Sequence, residues 1–347
     1  MYQDMSNEAN RKDEVRAEYA KLVAASPQSA KLHYLYGRVL DDPSGAATEY
    51  EKAMQLDPKL VWPRVALAHA YALMDRTADA LREYAAAMDM EGRDPAVVTY
   101  YATAAIANGT PESAIEKVDQ ARKAHTNQFA PLDARWLLAV ASGDWTTAAK
   151  LQDSLAQIEG EEAAWWRTTK LMRIKGDAQL DQRIDVALKM RNLHDVALNA
   201  RAEHYIEQGE FAKCTTFVAQ HANEIDPVSA ALLDAYAAGG LMLKGERDRA
   251  AEVLTEAEKF LDKAEKKRDA HVVGAVIAGL RGDISADEIV NFAKANDAAQ
   301  HGWFVAAVRA HVAHDRAHEK ERVAHLLQAS ADLDFPYGLA AAMQKAD

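Results

Sequence analysis

The sequence contains few of the residues that cross-link a protein chain or interrupt its helices. Its single cysteine, Cys214, cannot form a disulfide within the 347 residues, so neither an oxidising nor a reducing compartment is excluded. Glycine and proline are scarce, at 16 and 9 residues. No apolar run reaches the roughly 18 residues of a membrane-spanning helix, and the first residues lack the apolar stretch of a signal peptide. We expect a cytoplasmic protein, or a periplasmic or secreted one if a signal peptide was removed.

Motifs of familiar catalytic and cofactor chemistry are absent as well. The sequence contains no G-x-S-x-G, no phosphate-binding glycine loop, no G-x-G-x-x-G and no paired C-x-x-C. The segment HEKER, from His318 to Arg322, begins like a zinc-protease motif but has arginine where the second histidine must stand. The sequence therefore predicts no catalytic residue, no cofactor and no enzymatic activity.

The charge balance excludes one class of partner. Forty-one Lys and Arg oppose 53 Asp and Glu, giving a formal net charge of −12 at pH 7. Proteins that hold nucleic acid through its phosphates carry the opposite excess. We therefore expect neither a nucleic-acid partner nor binding to an anionic membrane surface. The short apolar runs argue against insertion into a membrane.

Alanine is the residue that the chain has in excess. It occurs 72 times, and it is the best helix former and lets neighbouring helices approach closely. With so few helix breakers, the composition predicts an almost wholly helical chain.

Six glycines punctuate this helical chain at nearly constant spacing. Each lies in a similar tripeptide (NGT, SGD, KGD, QGE, KGE, RGD), and the gaps are 34, 33, 33, 36 and 37 residues. The glycines are Gly109, Gly143, Gly176, Gly209, Gly245 and Gly282. Glycine adopts the left-handed conformation that ends a helix, and a short turn between two helices makes them antiparallel. The spacing predicts a series of helical hairpins.

Small residues repeat with the same period. One series recurs at a constant interval, the same as that between the first two glycines, and consists of Ala46, Ala80, Ala114 and Ala148. A second series follows two helical turns later and consists of Ala53, Ala87, Ala121 and Leu155. A small side chain at these positions would let the second helix of a hairpin lie against the first. Tyr50, Tyr84 and Val118 stand between the two series and would fill the remaining space.

These residues resemble the tetratricopeptide repeat, a helix-turn-helix unit of about 34 residues. The clearest matches are VALAHAYALMDRTADALREYAAAM, residues 65–88, and AEHYIEQGEFAKC, residues 202–214. The resemblance implies an all-α fold, a right-handed superhelical α-solenoid of about eight helix-turn-helix repeats. In such an array each hairpin buries its apolar face against its neighbours, and no central core forms.

The repeats set the expected domain organisation. Residues 1–27 contain a capping or orphan helix, residues 28–330 the repeat array, and residues 331–347 a C-terminal capping helix. The first helix has no partner before it, which fits either a polar cap or a chain cut from a longer protein.

Three functions fit such an array. The first is a non-catalytic protein-protein interaction scaffold that holds a partner peptide or helix in its concave groove. The second is a sensory or regulatory region of a longer protein whose effector domain is absent. The third is a metal-binding or enzymatic solenoid. The oligomeric state is left open.

The resemblance implies that the first helix of each hairpin lines the groove. The groove-facing candidates are Val65, His69, Thr99 and Thr103 in the early repeats, and Trp166, Lys170, Arg173, Asn199 and Glu203 in the middle. Trp166 is the expected aromatic anchor, because an inward-packed Trp165 would turn its neighbour by about 100°. Lys170 and Arg173 share a helix face suited to a carboxylate, so we expect a partner with an acidic residue.

The last repeats are rich in histidine. His311, His314, His318 and His325 would share one face of a continuous helix and could then bind a metal ion. The repeat, however, places a turn at Asp315 and Arg316, which would divide the four between two helices. We therefore predict no metal site here and expect solvated or capping histidines.

The repeat register can be tested by introducing a charge. Ala114→Asp would place an unpaired carboxylate between two helices, and we expect it to lower the free energy of unfolding by several kcal/mol. A thermal melt of the variant checks this. A melting temperature equal to that of the parent would show that the register is wrong.

Overall fold

The computed structural model describes residues 12–90, 95–124, 129–264, 268–296, 298–330 and 343. All nineteen elements in this part of the chain are α-helices. An N-terminal helix is followed by nine pairs of consecutive helices joined by short turns, in agreement with the predicted all-α array of about eight hairpins. The predicted C-terminal capping helix falls outside the described residues, apart from Met343.

The helices form two compact units, Met1–Leu151 and Gln152–Asp347. The helices of unit 1 are α1 (Lys12–Ala25), α2 (Ala30–Gly37), α3 (Pro43–Leu56), α4 (Val61–Leu73), α5 (Thr77–Met88), α6 (Val97–Ala107), α7 (Pro111–Ala124) and α8 (Phe129–Ala141). Helix α9 (Trp145–Ala156) runs from unit 1 into unit 2. The domain bounds expected from the repeats stay a prediction.

Unit 2 contains the other ten described helices. They are α10 (Glu161–Lys175), α11 (Leu180–Ala187), α12 (His194–Glu207), α13 (Phe211–Gln220), α14 (Pro227–Leu243), α15 (Arg247–Leu261), α16 (Arg268–Arg281), α17 (Ala286–Ala295), α18 (Ala299–Val312) and α19 (Arg316–Ala329). In both units the even-numbered helices are the first helices of the pairs, and the odd-numbered helices from α3 onward are the second.

Eight of the nine turns share one backbone geometry. The six predicted glycines have φ values between 67° and 95°. At each turn the next residue donates its N–H to the carbonyl five positions back, as from Asp144 to Ala139 over 2.8 Å and from Glu210 to Tyr205 over 2.8 Å. This is the hydrogen bond of the Schellman motif, in which a left-handed residue closes the helix. The glycine spacing therefore predicted these turns correctly.

Two further turns use the same geometry without glycine. Asp75 and His314 have φ values of 59° and 58°, and they lie about one repeat before Gly109 and about one repeat after Gly282. The following residues, Arg76 and Asp315, donate to Tyr71 and Ala310 in the same way, each over 2.9 Å. The series of turns closed by a left-handed residue is thus longer than the glycines indicate.

The predicted packing positions are buried. Ala46, Ala80, Ala114 and Ala148 are at most 6 % exposed, and Ala53, Ala87, Ala121 and Leu155 at most 5 %. Cys214 is fully buried, and burial raises the pKa of its thiol well above the usual range. Such a thiol is protonated and unreactive.

One expectation about the packing is wrong. Helix α14 contacts α18 as well as α16, although α18 belongs to the second hairpin after its own. Gly239 makes this approach feasible, since a Cβ atom there would lie 2.5 Å from Phe304 Cζ. On the next residue, Gly240, a Cβ would overlap the ring of Phe211 from α13. The hairpin of α14 and α15 therefore packs beyond its immediate neighbour.

The contact between α14 and α18 gives a prediction with an internal control. Gly239→Ala forces the Phe304 ring to move, and we expect a loss of about 1–3 kcal/mol in the free energy of unfolding. Gly274→Ala, in α16, meets no atom closer than Leu261 Cδ1 at 3.8 Å. Because alanine favours a helix interior, this control should gain about 0.5–1 kcal/mol. Urea titration of both variants checks the difference, and equal shifts would contradict the close approach.

Candidate functional site

Three successive first helices of unit 2 enclose a cavity of about 600 Å³, called here the first-helix cavity. Helix α10 begins after Gly160 with Glu161 and Glu162 in its first turn, where negative charge stabilises a helix start. Helix α14 begins at Pro227, with the Asp226 carboxylate accepting from the Val228 and Ser229 N–H groups. The residues that line the cavity are Gly160, Glu162, Ala163, Trp166, Val196, Asn199, Glu203, Ser229, Leu232 and Leu233.

Three of the predicted groove residues meet in this cavity. Trp166 lines it from α10, and Asn199 and Glu203 line it from α12. Trp165 is only 7 % exposed and packs in the core, whereas its neighbour Trp166 is half-buried, as the helix geometry predicts. Asn199 is held by a 3.1 Å hydrogen bond from Nδ2 to the Asp195 carbonyl.

The guanidinium of Arg173 is paired within the chain and is not available to a partner carboxylate. This corrects the expectation, drawn from the sequence, that Arg173 would bind an acidic residue of the partner. Its guanidinium forms ion pairs with Glu203 and, at 3.3 Å, with Glu207, and its side chain is 6 % exposed. Its Cζ lies 5.8 Å from the centre of the Trp166 ring. Lys170 is 9 % exposed and does not line the cavity. Burial raises the pKa of Glu207 to about 7, against the opposing effect of Arg173.

The early groove candidates lie in unit 1 and do not share one environment. Val65 is 7 % exposed and belongs to the core, so it is unavailable to a partner. Thr99 Oγ1 donates to the Ala130 carbonyl over 3.4 Å, and Thr103 Oγ1 donates to the Thr99 carbonyl over 3.1 Å. His69 is exposed.

A second cavity of about 490 Å³ lies beside the first and shares Ser229 and Leu232 with it. His301, from α18, lines this cavity, and its Nδ1 lies 2.7 Å from the Tyr236 hydroxyl. Burial lowers the pKa of His301 to about 4 and raises that of Tyr236, so a neutral imidazole faces a neutral phenol. The sequence analysis did not identify His301 as a lining residue.

Asp234 is an unusual buried group on α14. It is 3 % exposed, and its Oδ1 has no hydrogen-bond partner among the described residues. Burial, with a smaller effect of Glu256, raises the pKa of Asp234 to about 8. A carboxyl group in such surroundings is mostly protonated at neutral pH.

The four C-terminal histidines do not gather at one point. The turn at residues 313–315 separates α18 from α19, as predicted. His311 Nδ1 lies 2.6 Å from Glu319, His318 Nδ1 lies 2.6 Å from Asp315, and His325 stacks on Trp303. In the described part of the chain, no group of three or more His, Cys, Asp or Glu side chains is arranged to hold a metal ion.

None of the described helices is both long and apolar enough to cross a bilayer.

Comparison with known proteins finds similar chains among solved structures. No protein-family model and no curated protein matches the chain. Among solved structures, a tetratricopeptide repeat protein of Parabacteroides merdae is 15 % identical, with 76 % of this chain and 96 % of that chain covered at a TM-score of 0.46. Pseudomonas aeruginosa PilF is 16 % identical, with 55 % and 89 % covered at 0.42. Yeast Tom70 is 12 % identical, with 91 % and 95 % covered at 0.38.

The buried carboxyl group of Asp234 predicts how stability depends on pH. Its folded pKa of about 8 lies above the ordinary value of 3.8, so the folded protein keeps a proton that the unfolded chain loses. Stability is therefore lost as pH rises from about 4 to about 8. Asp234→Asn cannot ionise, and we expect its advantage over the parent to grow by at least about 1 kcal/mol between pH 5 and pH 8.

Urea titrations of both proteins at the two pH values measure this difference. Glu207 contributes the same pH dependence to parent and variant, so it cancels in the comparison. An advantage of the variant that is equal at both pH values would mean that Asp234 is ionised in the folded protein.

Proposed function

We propose that the chain is a non-catalytic protein-protein interaction scaffold, and that a segment of a partner protein lies along the first helices of unit 2. The observation that supports this is the first-helix cavity, whose lining comes from α10, α12 and α14 and from the residue before α10. The neighbouring cavity continues the same surface along α14 towards α16 and α18. An extended or helical peptide needs such a continuous row of pockets.

The first-helix cavity favours an apolar anchor on the partner. Trp166, Val196 and Leu232 supply its apolar surface, and about 600 Å³ suffices for one large side chain with its neighbours. Tryptophan is among the residues that contribute most to binding at protein interfaces. Asn199 and Ser229 add polar groups that can bond to a peptide backbone.

The charge of the lining favours a basic partner segment. Glu162 lines the first cavity, and Asp226 and Asp269 line the second, while Glu203 is already paired with Arg173 and the described lining of both cavities contains neither lysine nor arginine. Arg173, which was expected to attract an acidic residue, is already paired within the chain. We therefore propose lysine or arginine beside the apolar anchor, in place of the acidic residue expected from the sequence.

Selection from a displayed library of random peptides on the full chain tests this proposal. We expect enriched peptides to share an aromatic or branched apolar residue flanked by lysine or arginine, and to bind less tightly as salt is raised. Trp166→Ala should weaken the selected peptides at least tenfold, about 1.4 kcal/mol.

Trp62→Ala is the matched control, because Trp62 is a 45 % exposed tryptophan on a first helix of unit 1. It should leave the affinity unchanged. Peptides that bind both variants as tightly as the parent would place the binding surface elsewhere. Enrichment of acidic peptides would contradict the proposed charge of the partner.

A further inference from the structure

A cavity of about 870 Å³, called here the hairpin cavity, lies between α10 and α11. Trp165 lines it, whereas Trp166 lines the first-helix cavity. Helix α11 has only eight residues, while the other second helices have between 10 and 15. The short helix leaves one face of α10 uncovered, and the hairpin cavity occupies that space.

The walls of the hairpin cavity are mostly apolar. Trp165 and Met172 line it from α10, and Val186 and Met190 line it from α11 and the residues after it. Val186 is 53 % exposed. The volume of the hairpin cavity lies within the range of pockets that hold small molecules. Exposed apolar surface of this kind favours a ligand with an apolar body.

Arg183 is the one cation in the described lining of this cavity. Its Nε donates to Thr169 Oγ1 over 3.0 Å, its Nη2 donates to the Trp165 carbonyl over 3.3 Å, and Nη1 makes no hydrogen bond within the described residues. The guanidinium Cζ lies 5.5 Å from the centre of the Trp165 ring. Burial lowers the pKa of Arg183, and no carboxylate of the described chain offsets this.

The other arginines on the surrounding helices, unlike Arg183, are paired with carboxylates of the chain. Arg167 pairs with Glu159, Arg173 with Glu203 and Glu207, and Arg201 with Asp181 and Asp185. A half-buried guanidinium with only neutral acceptors lacks the charge-assisted hydrogen bonds that stabilise its neighbours. An anion from outside the chain would supply them.

We propose that the hairpin cavity binds a small amphiphilic monocarboxylate. Its carboxylate accepts hydrogen bonds from Nη1 and Nη2 of Arg183, and its aliphatic or aromatic body packs on Trp165, Met172 and Met190. A single negative charge is favoured, because Glu161 lines the same cavity, where its Oε2 accepts from Asn192 Nδ2 over 2.9 Å. This ligand is distinct from the partner segment proposed for the first-helix cavity.

Calorimetric titration of the full chain with monomeric decanoate tests the proposal. We expect saturable binding of one decanoate per chain, and at least tenfold weaker binding of decanol, which has the same body without the charge. Arg183→Gln should weaken decanoate at least tenfold, about 1.4 kcal/mol, and leave decanol unchanged. Lys189→Gln, which removes an exposed cation just beyond α11, is the control that should leave both affinities unchanged.

A second variant keeps the test decisive if Arg183→Gln does not fold. Val186→Glu adds a carboxylate at an exposed wall position, where it costs the fold little, and it should abolish decanoate binding. The proposal is overturned if decanoate does not saturate, if decanol binds as tightly, or if a folded Arg183→Gln or Val186→Glu variant binds decanoate like the parent.

Discussion

The left-handed residue at eight of the nine described hairpin turns is the constraint on which the rest of the structure depends. It lets the following N–H reach back to a carbonyl of the last helical turn, which ends one helix and reverses the chain within a few residues. Because the reversal recurs once in every repeat, first helices follow one another in space. The first-helix cavity arises where three of these helices, α10, α12 and α14, come together.

Features with a local physical cause could be predicted from the sequence. A turn that requires positive φ favours glycine, and close contact between two helices favours alanine. Gly143 and Ala114 therefore predict a turn and a helix contact without any knowledge of the rest of the chain. The same rule fails at Asp75 and His314, where other residues adopt the left-handed conformation. Aspartate tolerates it better than most residues, and the spacing of the repeat is then the one signal left.

Features that depend on distant residues could not be predicted in this way. The Gly239 and Gly240 pair was visible in the sequence, but which aromatic ring would approach each glycine depends on the packing of α13 and α18 against α14. Arg173 was taken for an open cation because only its own helix was considered. Its partners Glu203 and Glu207 follow about one repeat later in the sequence, so opposite charges at the repeat spacing were the signal that could have identified the pair.

Helix α10 forms a wall of both cavities in the first half of unit 2. Trp166 lines the first-helix cavity and Trp165 lines the hairpin cavity, because consecutive side chains on a helix point about 100° apart. The arginines beside the two cavities also differ in their hydrogen-bond and ion-pair partners. Arg173 reaches α12, where two carboxylates neutralise it, whereas Arg183 reaches back from the short α11 to Thr169 and the Trp165 carbonyl and meets only neutral acceptors. One helix pair therefore has a paired arginine beside one cavity and, in the other cavity, an arginine with only neutral acceptors, and the two proposed ligands differ in charge accordingly.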